Sequence, residues 1–210
     1  MSQNIVFTSS GQYPNGGAAS IRHLSYTRGL IELGNKVSFV LLAEQIERNR
    51  SSEIDSSYKK IKFINIYKLS AHSIKRKNKK RLSFITIWKA KKKIKEINDE
   101  LKIDALIILD INYKIINPII SYCNKLKISV FHERTEYPFV VKGSSRNSDQ
   151  NLEIYLNNTI QKFDGIYVIN NALKKYFIEK TNNQVPIKTI LMTVEPDRFE
   201  NQSSESPFDF

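Results

Sequence analysis

Residues 9–20 of the chain read SSGQYPNGGAAS. An apolar run, Ile5-Val6-Phe7, precedes them, and a helical pattern from Ile21 to Leu33 follows and is closed by Gly34. This order predicts a strand, a glycine-rich turn and a helix, the opening of an α/β domain. Gly16 and Gly17 would let the backbone approach a ligand, and the helix N-terminus offers N–H groups that suit phosphate. A tight turn without a ligand fits the same residues, so the segment alone leaves both interpretations open.

Apolar runs and helical patterns alternate along the rest of the chain. Further strands are predicted over residues 37–43, 61–66, 105–109, 128–131, 165–169 and 187–192, and helices over residues 82–101, 113–126, 152–162 and 171–180. Parallel neighbours in a sheet need crossover helices, so the alternation predicts a Rossmann-like, doubly wound parallel sheet of about seven strands. Ligands of such sheets bind beyond the carboxyl ends of the strands. We therefore expect a site formed by residues 9–17, 110–113 and 132–137, with Asn170 and Asn171 beside them.

The composition is that of a globular protein, with 210 residues of which 40% are hydrophobic and 26% are charged. No apolar run reaches the roughly 18 residues of a membrane span, and the N-terminus does not resemble a secretory signal. The single cysteine, Cys123, excludes an internal disulfide and a cysteine-rich zinc site, and its helical pattern predicts a buried apolar role. We expect a cytoplasmic protein, with the inner face of the cell membrane as the alternative position. His72 stands in no metal-ligand spacing, so we expect no bound metal.

Positive charge is concentrated in one segment. Residues 68–102 contain thirteen lysines and arginines but three carboxylates, and the chain as a whole carries +12. The densest part is a predicted loop with six basic residues: Lys75, Arg76, Lys77, Lys79, Lys80 and Arg81. A solvated lysine face is one interpretation, and docking on an anionic membrane surface, helped by Phe84 and Trp88, is another. Nucleic acid is disfavoured, because the segment shows no recognised motif and no interleaved aromatic residues.

Four motifs, in order, resemble the N-terminal domain of GT-B-fold glycosyltransferases, specifically the retaining, nucleotide-sugar-dependent family 4. The first is PNGGAASIRH at 14–23, leading to GLIELGNKV at 29–37, and the second is VFHERTEYP at 130–138. The third is FDGIYVINNAL at 163–173, and the fourth is MTVEPDRF at 192–199. The resemblance implies an acceptor-side domain over residues 1–199 and a tail or linker over 200–210. The family's second domain, with its Glu-x7-Glu pair, has no counterpart here, so we expect half an enzyme that is inactive by itself.

The resemblance also implies partners and site residues. The partners are a nucleotide-sugar donor, which is a co-substrate and not a cofactor, and a glycan or lipid-linked acceptor in surface polysaccharide assembly. His132 is the predicted catalytic residue, because it follows a buried strand and should stand at the rim, although capping the strand or pairing with Glu133 is the alternative. The predicted substrate-binding residues are Gly16, Gly17, Arg22, Glu133, Arg134, Glu136, Asn170 and Asn171.

Three of these assignments have open alternatives. Arg22, with its neighbour His23, could be a surface or helix-packing residue. Arg134 could hold an acceptor phosphate or neutralise Glu133 and Glu136. A function from another class also fits the chain, namely a stand-alone sugar-phosphate-binding module or a peripheral membrane adaptor without catalysis.

Overall fold

The computed structural model describes residues 2–11, 13, 17–42, 61–65, 79–141 and 148–191. Its centre is a seven-stranded sheet in the order β3-β2-β1-β4-β5-β6-β7, and every neighbouring pair is parallel. The strands are β1 (Asn4–Ser9), β2 (Lys36–Leu41), β3 (Lys62–Asn65), β4 (Ala105–Ile108), β5 (Ser129–Arg134), β6 (Gly165–Val168) and β7 (Ile187–Thr189). The predicted Rossmann-like, doubly wound parallel sheet of seven strands is therefore confirmed.

Six α-helical segments lie between the strands in the described part of the chain. They are α1 (Ala18–Glu32), α2 (Lys79–Leu101), α3 (Tyr113–Lys125), α4 (Pro138–Val141), α5 (Ser148–Ile154) and α6 (Asn171–Lys180). A π-helical turn, Tyr155–Thr159, and a 3-10 turn, Ile160–Lys162, continue α5. Within the described part of the chain, no helix is long and apolar enough to cross a membrane.

The two faces of the sheet have separate apolar cores. On one face, Phe7 and Phe39 of the central strands pack with Leu24 of α1. On the other face, Val6 and Val40 belong to a larger core that includes residues of α2, α3 and α6. Successive residues of a strand point to opposite faces, so each buried strand needs an apolar residue at nearly every position. This is why the strands appear in the sequence as continuous apolar runs.

Local signals fix the ends of α1. Its N-cap is Gly17, and beyond its last residue Gly34 adopts a φ of +85°, in the region that favours glycine. There the Gly34 N–H donates to the Ile31 carbonyl and the Asn35 N–H donates to the Leu30 carbonyl. The helix therefore stops where the sequence predicts, and β2 begins two residues after Gly34.

Several boundaries differ from the prediction. Strand β5 extends through His132, Glu133 and Arg134, which were expected in a loop, because these residues pair with β6 from Ile166 to Val168. Helix α2 begins at Lys79, so Lys79, Lys80 and Arg81 belong to a helix and not to the predicted basic loop. The predicted helix over residues 152–162 begins earlier, at Ser148, and changes its winding at Tyr155.

Other predictions fall outside the described residues. They concern Gly16, the loop over residues 44–58, Lys75, Arg76 and Lys77, and the tail over residues 200–210. The prediction for Cys123 is confirmed, since the side chain is fully buried in the core that α3 helps to form.

Candidate functional site

The carboxyl ends of the strands bring the predicted loops together. The backbone N–H of Ser10, which follows β1, lies 3.0 and 3.2 Å from the two carboxylate oxygens of Asp110, which follows β4. The Leu109 N–H also donates to the Thr8 carbonyl. The glycine-rich segment and the loop after β4 are thus tied to each other at one edge of the sheet.

A buried ion pair lies beneath this edge and joins α1 to β5. Arg22 Nη2 lies 3.0 Å from Glu133 Oε1, and Arg22 Nε donates to the same oxygen at 3.1 Å. His23 Nε2 lies 2.5 Å from Glu133 Oε2, so both carboxylate oxygens have partners. Arg22, His23 and Glu133 are all buried. Arg22 and Glu133, predicted to bind substrate, therefore contact each other.

Tyr13 extends this cluster toward the glycine-rich segment. Its hydroxyl lies 2.5 Å from His23 Nδ1, and its ring packs against Phe39 with 4.8 Å between centroids. Burial raises the pKa of the Tyr13 phenol, so it stays protonated and can donate to the imidazole. The cluster of Tyr13, Arg22, His23 and Glu133 fixes the start of α1 on the sheet.

His132 does not stand at the rim, and that expectation was wrong. Its ring is fully buried, stacked on Phe163 with 4.5 Å between centroids. Nδ1 lies 2.7 Å from the Ile108 carbonyl, which can only accept, so Nδ1 carries the proton. Nε2 then accepts from the Tyr155 hydroxyl at 2.7 Å. Residue 132 still belongs to the strand, and its side chain points to the same face as the buried Val130.

The electrostatics of His132 follow from this position. Burial, together with the nearby Arg134 guanidinium, lowers the pKa of His132 to about 3. The imidazole is therefore neutral at physiological pH, and both nitrogens are occupied by protein groups. In this arrangement His132 orients Tyr155 and connects β5 to β4. Its predicted catalytic role stays a prediction, without the exposed ring on which it was based.

Asp110 is a candidate that sequence reasoning missed, although its loop was predicted to line the site. Desolvation raises the pKa of Asp110 from 3.8 to about 6, against the opposing effect of the Ser10 hydrogen bonds. The side chain is half-buried at the sheet edge. A carboxyl group that titrates near neutral pH can accept or donate a proton, and such shifts are concentrated at functional sites. The signal available in the sequence was the position of Asp110 directly after the apolar run of β4.

The remaining predicted residues lie around the same edge. Gly17 caps α1, and a Cβ placed there would meet no atom within 4 Å, so packing alone does not require glycine at this position. Glu136 is exposed just beyond β5. Asn170 and Asn171 are exposed at the start of α6, where the Asn170 side chain accepts from the Leu173 N–H. Asn171 accepts from the Thr189 hydroxyl. Glu136, Asn170 and Asn171 therefore remain accessible to a ligand.

In the described residues, no group of three or more histidine, cysteine, aspartate or glutamate side chains could hold a metal ion. The expected absence of a metal and of a cofactor stays a prediction, because other carboxylates and His72 lie outside the described residues.

Solved structures of GT-B glycosyltransferases share this fold. One is UGT2 of Phytolacca americana, solved with UDP-2-fluoro-glucose and pterostilbene. The match covers 95% of this chain and 56% of the UGT2 chain, with a TM-score of 0.63 and 12% sequence identity. The sucrose-phosphate synthase of Thermosynechococcus elongatus matches with a TM-score of 0.62 and 13% identity, over 93% of this chain and 49% of its own.

A third match is the apo form of the lipopolysaccharide outer core galactosyltransferase WaaB. It has a TM-score of 0.58 and 12% identity, over 92% of this chain and 46% of its own. The chain thus spans about half the length of the structures it matches. No protein-family profile and no curated protein matches the sequence. At these identities the matches show the fold, a Rossmann-like domain of the kind that GT-B glycosyltransferases contain.

Proposed function

We propose that this chain is the acceptor-side half of a retaining, family 4 glycosyltransferase, which transfers a sugar from a nucleotide-sugar donor to a glycan or lipid-linked acceptor. The observation that carries the proposal is the match of more than nine-tenths of the chain to several glycosyltransferases. The four sequence motifs support it independently. Surface polysaccharide assembly, at the inner face of the cell membrane, is the proposed setting.

The donor side of the proposal rests on the first turn of α1. The residues before Gly17 lead into a helix whose N-terminus faces the carboxyl edge of the sheet, a position that suits a diphosphate. UGT2, TcCGT1 and the Anabaena protein Alr3699/HepE were solved with UDP or a UDP-sugar. By this likeness the donor here is a nucleotide sugar, gripped between this chain and a second domain.

The acceptor side rests on the accessible residues of the edge. We assign Asp110 to the acceptor hydroxyl, because its carboxyl group lies in the rim and carries a pKa near 6. Glu136, Asn170 and Asn171 are placed to bind the hydroxyl groups of a sugar. The buried cluster around Glu133 and the pair of His132 and Tyr155 hold these loops in place from below.

The test is sugar transfer from a panel of radiolabelled nucleotide sugars to glycan and lipid-linked acceptors. The chain is assayed alone and together with the polypeptide encoded directly downstream of it. Transfer should require both, and Asp110→Asn should lower the rate by about a hundredfold. Lys125→Gln, at the opposite end of α3, is the matched control. The stand-alone binding module gains support if a sugar phosphate binds but no combination transfers sugar.

One observation favours a membrane-facing role for α2. On this helix Phe84 is 72% exposed and Trp88 is 57% exposed. Lys92 Nζ lies 5.8 Å from the centre of the Trp88 ring. Aromatic and lysine side chains together suit the headgroup region of an anionic bilayer. We propose that α2 brings the chain to the membrane on which a lipid-linked acceptor resides.

A further inference from the structure

Arg134 is a buried cation that forms no direct ion pair in the described part of the chain. It is the last residue of β5, and 6% of its surface is exposed. Its Nη2 donates to the Glu136 carbonyl at 3.2 Å, while Nε has no hydrogen-bond partner. Among the described residues, no carboxylate lies within 4.0 Å of the guanidinium. Most of its five N–H donors therefore have no protein acceptor there.

This arrangement is unfavourable in a folded protein unless something else compensates it. A guanidinium stays charged at any physiological pH, and burying an unpaired charge is strongly unfavourable. The neighbouring His132 is a neutral imidazole whose nitrogens are already occupied. Asp110 influences Arg134 electrostatically, but its oxygens accept from Ser10 and it does not pair with the guanidinium. An anion bound at the guanidinium would supply this compensation.

A second feature of the same edge points to the same ligand chemistry. Arg134 pairs in register with Val168 at the end of β6, and α6 begins at Asn171, three residues further along. Arg134 lies four residues after Val130 in β5 and therefore on the same sheet face, where Val130 and residues of α6 belong to the larger core. The Asn170 side chain accepts a hydrogen bond from the Leu173 N–H. The first-turn N–H groups that can still donate to a ligand are therefore those of Asn171 and Ala172. The positive end of the α6 dipole adds to the field of the guanidinium.

We propose that Arg134 and the first turn of α6 form a binding site for a phosphate group. The guanidinium supplies a planar fork of donors, and the helix supplies further N–H groups, which together match the several oxygens of a phosphate. Two substrates of a sugar transfer carry such a group, namely the donor, as a diphosphate, and a phosphorylated acceptor. The phosphate site stands without the proposed function, and only the assignment of the phosphate to a substrate rests on it.

The experiment measures phosphate binding to the isolated chain and needs no catalytic turnover. Inorganic phosphate and pyrophosphate are titrated by calorimetry at constant ionic strength, with chloride as the reference anion. Arg134→Gln should weaken phosphate binding by about tenfold or more, and Arg134→Lys should retain part of it. Lys125→Gln, far from the edge, should bind as the wild type does. Phosphate binding no tighter than chloride, or unchanged in Arg134→Gln, would overturn the proposal.

Two further measurements separate a binding role from a structural one. If Arg134 serves only to hold the loop at Glu136, then Arg134→Gln will lower the urea midpoint while phosphate affinity persists, which contradicts the proposal. In the wild type, the Arg134 Nε–H resonance should shift on titration with phosphate and not with chloride. This NMR result decides the question even if the Gln variant does not fold.

Competition identifies the source of the phosphate. UDP and an alkyl phosphate are each titrated into the chain pre-loaded with phosphate. Displacement by UDP alone assigns the site to the donor, and displacement by the alkyl phosphate alone assigns it to a lipid-linked acceptor. Displacement by neither would contradict a substrate site. A failure of sugar transfer leaves these binding results unaffected.

Discussion

Arg22 and Glu133 are 111 residues apart in the chain and form a buried ion pair, with 3.0 Å between Arg22 Nη2 and Glu133 Oε1. Their side chains are 10% and 6% exposed. The pair ties the second turn of α1 to the end of β5, and therefore positions the glycine-rich segment relative to the loop that contains Glu136. Both residues were predicted to contact substrate, yet they contact each other.

Removing one member of this pair should destabilise the fold. Arg22→Met leaves the Glu133 carboxylate buried with His23 as its remaining partner, and Glu133→Gln removes the charge opposite Arg22. We expect each change to lower the free energy of unfolding by about 3–5 kcal/mol, measured by urea denaturation. The two losses should not add in the double variant, because they concern one interaction.

The exposed pair of Arg28 and Glu32 on the same helix is the matched control. Breaking it should change the free energy of unfolding by roughly 0.3–0.5 kcal/mol. Equal effects for the two pairs would contradict the structural role assigned to Arg22 and Glu133.

The buried state of His132 predicts an acid sensitivity. Its pKa is about 3 when folded against 6.5 for the unperturbed side chain, so the unfolded chain binds the extra proton first as pH falls. Stability from this residue is present above pH 6.5 and is lost as pH falls toward 3. Between pH 7 and pH 5, the wild type should lose about 2 kcal/mol that His132→Gln does not lose.

The same variant tests the role of His132 in catalysis. A catalytic imidazole predicts a rate loss of about a hundredfold in the transfer assay, with the fold intact. A positioning imidazole predicts that Tyr155→Phe and His132→Gln lower the rate to a similar extent, since each breaks the bond between Nε2 and the phenol. A ring resonance of His132 that titrates near pH 6.5 by NMR would refute the buried geometry itself.

Asp110 should show the opposite pH dependence. The pKa of Asp110 in the folded chain is about 6, above the usual 3.8. As pH rises, the unfolded chain therefore loses this proton at a lower pH than the folded chain does. The wild type then loses stability between about pH 4 and pH 6, and Asp110→Asn does not. The urea midpoint of the variant should rise relative to that of the wild type across this range. A difference between the two that stays constant with pH would contradict the raised pKa.

The strands could be predicted because a parallel sheet that is covered on both faces has apolar residues at both odd and even strand positions. The run from Val37 to Leu41 is an example. The end of β5 could not, because His132, Glu133 and Arg134 are polar and their buried partners come from distant elements such as α1. The sequence does indicate which face of the sheet the His132 side chain lies on. It lies two residues after Val130, so a strand that continued would bury both on one face.

Vesicle binding tests the membrane role of α2. The chain should sediment with vesicles that contain anionic lipid and much less with neutral ones, and added salt should release it. Replacing Phe84 and Trp88 by serine should reduce binding by about tenfold or more, because two exposed aromatic side chains no longer enter the interface. Leu33→Ser, which changes a side chain 80% exposed at the end of α1, is the control and should bind normally.

The buried cysteine has a practical consequence. Cys123 is the chain's single cysteine, its side chain is inaccessible, and burial raises the pKa of its thiol to about 12. It should therefore be inert toward maleimide reagents in the folded protein. A cysteine introduced at the exposed Glu136 or Asn171 would then be the one reactive thiol. Fluorophores or spin labels can be attached to either side of the sheet edge without first removing a native residue.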